Sequence, residues 1–305
     1  MAISRQQLAK ELEPGLNALF GLEYARYENE HAEIYITESS DRAFEEEVML
    51  SGFANAPTKA EGAAVTFDQA NESFTARYTH ETVALAFAIT EEAIEDNLYD
   101  RLAGRYTRAL ARSMSHTKQV KSASVLNNAQ VTTVLGGDGV PLISNAHPLA
   151  TGGTFSNVLA TAADLNETSL EQILIDIAGF VDERGLRIAA QGIKMIIPIE
   201  LQFTAERLMN TPQRVGTADN DINAIVSMGM IPQGYRVNNF LTDTDSFFIL
   251  TDIPNGLKHF IRSPVKTAIE GDFDTGNVRF KARERYSFGF SDPRCIFGNG
   301  NLPTS

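Results

Sequence analysis

Arg279, Lys281, Arg283 and Arg285 occupy every second position near the end of the chain. On a β-strand this spacing turns four cations to one face, about 7 Å apart. Val278, Phe280, Ala282, Tyr286, Phe288 and Phe290 take the opposite, apolar face. A row of cations holds anions, and three surroundings suit it: carboxylates of a neighbouring subunit, nucleic-acid phosphates, or water alone. Glu45-Glu46-Glu47 supplies a matching counter-charge, because an extended segment places Glu45 and Glu47 on one face. Lys59 stands in the turn-rich stretch beyond it. We expect Glu45, Glu47, Lys59, Arg279, Lys281, Arg283 and Arg285 to make contacts between subunits.

The residue types that carry catalysis are not arranged for it. The five histidines (His31, His80, His116, His147 and His259) lie far apart and lack short metal-ligand spacing. No Gly-x-Ser-x-Gly elbow occurs, and Gly136-Gly137-Asp138-Gly139 lacks the lysine and following helix that a phosphate loop needs. It reads as a turn. Cys295, the only cysteine, can form no intramolecular disulfide and has no activating neighbour in sequence. We expect no catalytic, cofactor-binding or metal-binding residues, no cofactor, and no enzyme.

With 305 residues, 43% hydrophobic and 21% charged, the chain is large enough for one large or two modest cores. A net charge of −13 argues against gripping nucleic acid through the bulk field, though it leaves room for a local basic face. No run approaches the ~20 apolar residues of a membrane helix, and the start lacks the apolar core of a signal peptide.

The elements that would position the charged rows follow from periodicity. Residues 1–30 carry a short helical pattern interrupted by Pro14-Gly15, and Ala32–Ile36 is strand-like. Ser73–Ile89 alternates throughout, but its apolar face changes sides near His80–Thr82. At roughly 3.3 Å per residue it would reach about 55 Å, where a usual strand has about 5–6 residues. Together with Phe44–Leu50 and the tip at Pro57–Gly62 it predicts a protruding hairpin that its own domain cannot cover along its length. Thr90 fits as the N-cap of a long helix over 91–121, acidic first and basic last, with Ile94, Leu98, Leu102, Tyr106, Leu110 and Met114 as a winding stripe. A capping box at Thr168 and Glu171 opens a second helix, with Gly185 as its stop. Ile193–Ile197 reads as a buried strand, Pro198 starts another helix, and Thr242–Ser246 joins strands near Tyr235–Leu241 and Phe247–Leu250 as a hairpin. Val265–Ile269 and the cationic strand flank a turn at Gly271–Gly276.

This order of parts resembles the major capsid proteins of tailed bacteriophages with the Hong Kong 97 fold, and more narrowly the Mu-type major head subunit group. The segments that carry the likeness are Leu142-Ile-Ser-Asn-Ala-His147-Pro148 and Ala282-Arg-Glu-Arg-Tyr-Ser-Phe-Gly-Phe-Ser-Asp-Pro-Arg294. The resemblance implies an α+β capsid fold: an N-terminal arm (1–30), an extended loop (31–89), a peripheral domain (90–165 and 253–305) with a spine helix (91–121), and an inserted axial domain (166–252). It implies hexamers and pentamers of an icosahedral shell enclosing double-stranded DNA, in a virion assembled in the bacterial cytoplasm. The partners implied are further copies of the chain, a separate scaffolding protein, a portal protein, a decoration protein where the shell carries one, and packaged DNA through nonspecific contact, with no membrane. Lys59 could serve in an intersubunit crosslink, but no motif identifies an asparagine partner. The alternatives are an encapsulin-like nanocompartment shell and a soluble α+β enzyme.

Overall fold

The long alternating run is two strands, not one. A computed structural model describes residues 5–90, 92–93, 99–214, 221–272 and 276–301. In it β1 (Ile36–Ser39), β2 (Phe44–Leu50), β3 (Glu72–Thr79) and β4 (Glu81–Ile89) follow a first helix, α1 (Arg5–Arg26). β3 pairs antiparallel with β2, whereas β4 joins a different sheet. The change of apolar face read from sequence is therefore a change of sheet at His80. Ala76 and Tyr78 are buried under the first sheet, and Ile89 under the second.

That second sheet has the order β1-β10-β11-β4, where β10 is Leu257–Gly271 and β11 is Val278–Phe290. One face carries Phe280 and Ala282 and packs on α1 and the long helix α2 (Tyr99–Asn127). At 1.5 Å per residue α2 is about 43 Å long. The expected start at Thr90 runs into residues outside those described. At the other end the helix continues six residues past the expected stop, because Ala123 and Leu126 remain buried. Of the expected stripe Leu110 and Met114 are buried and Tyr106 is half exposed, the side chains of Ile94, Leu98 and Leu102 lying outside those described, and the seam adds Ala103, Thr107, Ala111 and Ser122. Small and polar residues let the rod lie close to the sheet, and a search for large apolar side chains overlooks them.

The first helix packs on its own chain. α1 runs unbroken through Pro14-Gly15, and Leu16 and Phe20 are buried against Met114 and Phe280 of the same chain. Tertiary packing here outweighs the local cost of an internal proline, about 3 kcal/mol. Ala32–Ile36 also departs from expectation, forming a 3-10 turn (Glu30–Glu33) before β1.

A second four-stranded sheet has the order β12-β9-β7-β8, built from β7 (Gly192–Ile197), β8 (Tyr235–Val237), β9 (Phe248–Thr251) and β12 (Ile296–Gly298). β8 and β9 flank β7 on opposite sides, so Thr242–Ser246 belongs to a crossover rather than the expected hairpin. Met195, Ile197 and Ile249 face α3 (Glu167–Ala178), α4 (Gln202–Asn210) and α5 (Ala224–Met228), while Ile196, Phe248 and Ile296 face Leu126 and Leu142. Burial on both faces explains the continuous apolar run of β7. α3 is capped by Asn166 with Ser169 in the box position, two residues earlier than Thr168 and Glu171, and it ends at Gly179. Gly185 instead closes the turn after Asp182, with φ +81°.

Beside a short antiparallel ribbon of β5 (His147–Pro148) and β6 (Thr154–Phe155), the two segments that carry the resemblance meet at one buried amide. Asn157 Nδ2 donates to the carbonyls of Leu142 (2.7 Å) and Pro293 (2.9 Å). Asn157 Oδ1 receives Ser144 N–H (2.8 Å) and faces His147 Nε2 (3.2 Å), and Asp138 holds the other ring nitrogen at 2.6 Å. His147 is thus a structural clasp.

Two polar clusters lock arm, spine and sheet together. Glu284, an even-numbered residue in the apolar row of β11, is 1% exposed and pairs with Lys118 of α2 at 2.9 Å. Tyr24 of α1 donates to Glu284 (3.2 Å) and accepts from Lys118 (3.0 Å), and its phenol is pushed up by burial and then by Glu284. Beside them His259 stacks on Phe288 at 4.3 Å and meets His31 edge-on at 5.1 Å. Burial pushes His31 down to about 4, with Lys118 adding to it. It pushes His259 down to about 3, with His31 and then Lys118 adding to it.

Glu284→Ala would leave the largely buried Lys118 with only the neutral Tyr24 hydroxyl, and we expect a loss of about 3 kcal/mol in thermal or denaturant unfolding of the unassembled chain. Replacing both residues by Met should recover most of that loss. Both histidines are neutral in the fold but take up a proton below about 6.5 when unfolded. Stability is therefore intact above pH 6.5 and falls as pH drops toward 4, by up to about 1.4 kcal/mol per pH unit per histidine. His259→Phe should flatten that slope in denaturant titrations across this range.

Candidate functional site

Two surfaces concern the charged residues singled out above: the β2–β3 hairpin and the outer face of the β1-β10-β11-β4 sheet. The hairpin stem is fastened to its own body. Tyr78 packs on Phe260 with ring centres 4.8 Å apart, and its hydroxyl meets Ser291 Oγ at 2.5 Å. Gly137 lies where a Cβ would come within 2.6 Å of the Thr75 backbone, so the glycine-rich turn lets β3 pass. Arg294, 3% exposed, binds Glu183 at 2.5 Å, and Glu183 in turn receives Ala150 N–H and the hydroxyl of Ser73. Burial raises the Asp292 carboxyl beside it, while Arg294 pulls the other way.

Glu45 and Glu47 face inward on this stem, as their shared face requires, but they are spent within the chain. Glu47 pairs with Lys258, which also binds Glu38 at 3.0 Å, and it accepts from Ser291. Glu45 accepts from Ser40 Oγ at 2.6 Å. That hydroxyl is thereby committed as a donor, so its oxygen accepts from His80 Nε2 (2.9 Å), and Nδ1 accepts from Ser287 (3.0 Å). Burial, and then Arg285, lowers the His80 pKa, which keeps the ring neutral at the point where the chain changes sheets. Glu47 is thus committed to Lys258 of its own chain, while Glu45 is held by the Ser40 hydroxyl and pairs with no cation among the described residues.

The outward side of the stem presents Phe44, Glu46, Val48 and Leu50, with Leu50 64% exposed and Arg77 seated 3.9 Å over the Phe44 ring. Beyond it every residue from Phe53 to Glu72 is exposed, Lys59 included. Phe67 is 93% exposed, and Phe53 and Val65 are also uncovered. The base of this loop is clipped where Asp68 accepts Ala54 N–H (2.7 Å) and Arg184 donates to the Gln69 carbonyl (2.6 Å).

The cationic row stands as its alternation requires. Arg279 pairs with Asp272, and Arg285 is half-buried beside His80. Lys281 and Arg283 are exposed, and no ion pair to either is found among the described residues. Lys266, opposite Arg283 on β10, joins them. Sequence reasoning missed it, although counting back from the Gly271–Gly276 turn gives its register. It also missed Lys258 and Arg294, whose buried charges are not visible as a pattern. Cys295 is buried and its thiol is pushed up by that burial. Among the described residues no cluster of three or more His, Cys, Asp or Glu could hold a metal, and no helix is long and apolar enough to cross a membrane.

What this arrangement can do is bind surfaces. Comparison with solved structures finds the same fold in shell-forming proteins. The virus-like particle from Pyrococcus furiosus aligns with TM-score 0.53 and 10% identity, covering 95% of this chain and 98% of that one. The capsid of Myoviridae phage XM1 gives 0.52 and 9%, covering 89% and 90%. The capsid of an empty GTA particle gives 0.51 and 13%, covering 89% of each. No curated protein matches the sequence. A family model described as phage capsid protein matches residues 72–299. That span covers most of the chain, which belongs to the phage capsid protein family.

Proposed function

We propose that this subunit builds hexamers and pentamers of an icosahedral head enclosing double-stranded DNA, and that it falls in the Mu-type group. The observation that carries the reading is the run of exposed residues from Phe53 to Glu72, with three large apolar side chains, on a stem clipped to an otherwise well-packed body. Exposed apolar surface of this kind marks a contact site. In a shell the occupant is another copy, and closed symmetry sums many modest contacts into a stable whole. The family match favours a phage head over a nanocompartment.

In this reading 31–89 is the extended loop, 91–121 the core of the spine, 166–252 the axial domain, and 90–165 with 253–305 the peripheral domain. Lys59 and the outward row of Phe44, Glu46, Val48 and Leu50 make the contacts between subunits. A separate scaffolding protein guides closure in the bacterial cytoplasm, a portal occupies one vertex, and decoration proteins bind outside.

Deleting 53–65 should leave a soluble chain with unchanged circular dichroism, since those residues bury nothing in their own subunit, yet abolish closed shells in electron micrographs of the protein expressed with its scaffold. Normal shells from the deletion would refute the reading. Leu50→Asp should act alike, lowering shell yield at least tenfold with little change in the melting temperature of the unassembled chain.

A further inference from the structure

We propose that the outer face of the β1-β10-β11-β4 sheet is the surface through which the subunit holds the nucleic-acid backbone inside the shell, an inference that rests on the reading of the chain as a DNA-enclosing head subunit. Lys266, Arg279, Lys281, Arg283 and Arg285 share this face. Of the carboxylates there, Glu270 stands across from Arg279, and Asp272 pairs with that same arginine. Lys266, Lys281 and Arg283 thus form a positive patch on a chain of net charge −13.

The residues between the cations are small. Thr82, Ala84, Ala86 and Ala88 lie across from Arg285, Arg283, Lys281 and Arg279 on β4, all four exposed, and Ala268 lies across from Lys281 on β10. Such a floor leaves the cations free to stand off the sheet and offers no large apolar anchor. A protein partner normally needs one, since interface energy concentrates on buried aromatic and aliphatic side chains. A phosphate backbone does not: it repeats its charge at every nucleotide and meets a row of cations without regard to sequence.

The competing occupant is an acidic strand from another copy. Among the described strands only β2 carries carboxylates two residues apart, Glu45 and Glu47. Both are held inside their own subunit by Ser40, Lys258 and Ser291. The opposite face of the sheet is covered by α1 and α2, and the β2–β3 stem covers this face at Lys258 and Phe260, so the part available is that around Lys266, Lys281 and Arg283.

The test compares amine acetylation of Lys266 and Lys281 in DNA-filled and DNA-free shells of the same preparation, read by mass spectrometry, with Lys59 as reference. The proposal expects both lysines to react several-fold more slowly in filled shells while Lys59 is unchanged. Equal, fast reaction in both kinds of shell would place the face toward the outside and overturn it. Equal, slow reaction in both would show a neighbouring copy on the face and overturn it as well. A chain that closes no shell would fail the reading of the preceding section instead. In that case a duplex of random sequence titrated onto the unassembled chain at low salt still decides. Lys266→Gln, Lys281→Gln and Arg283→Gln together should reduce the log–log salt slope by about 2–3. Absent binding, or binding that the triple variant leaves unchanged, overturns the proposal.

Discussion

A single stretch of backbone, Glu72–Ile89, belongs to two sheets, and the body and its projecting hairpin are connected through that switch. A strand can serve two sheets only if something fixes the residue at which it leaves one and enters the other. His80 does this with both ring nitrogens, between Ser40 on the segment leading into β2 and Ser287 on β11. Because side chains alternate, a slip of one residue there would turn Ala76 and Tyr78 outward and bring their neighbours in. The hydrogen bonds at His80 set register for the hairpin and for the sheet together.

The rest of the body supports that junction in layers. The sheet lies on a spine helix whose buried seam is largely small and polar. The N-terminal helix packs on the same face beside it, and Tyr24, Lys118 and Glu284 join all three elements through one buried pair. The second sheet is covered on both faces and draws its last strand, β12, from the far end of the chain. These contacts make a rigid block. Against it the loop from Phe53 to Glu72 stands uncovered, and this contrast, rather than any cleft, is what makes the protein a building element.

Much of this was legible in the sequence because it depends on period and order. The alternation in β11, the long helix, the buried β7 and the hairpin flanking Pro57–Gly62 all follow from residue spacing, and their order carried the likeness to head proteins. What failed to show depended on three-dimensional neighbours. Alternation marks Glu45 and Glu47 as one face but does not reveal that Lys258 lies beneath it. Glu284 looks like an exception in an apolar row until Lys118 arrives from a helix far away in sequence. Thr168 and Glu171 satisfy a capping pattern, but Asn166, two residues earlier, offers a better acceptor to the Ser169 N–H at 2.8 Å. Pro14-Gly15 signals a break that packing of Leu16 and Phe20 overrides.

The central claim is that the chain finishes burying its surface only among other copies. Amide hydrogen exchange, followed by mass spectrometry over peptides spanning 53–72, tests it most directly. These amides should exchange at close to random-coil rates in the unassembled subunit and at least a hundredfold more slowly in closed shells, while peptides of β7 and β9 stay protected in both. Equal exchange of 53–72 in the two states would contradict the account.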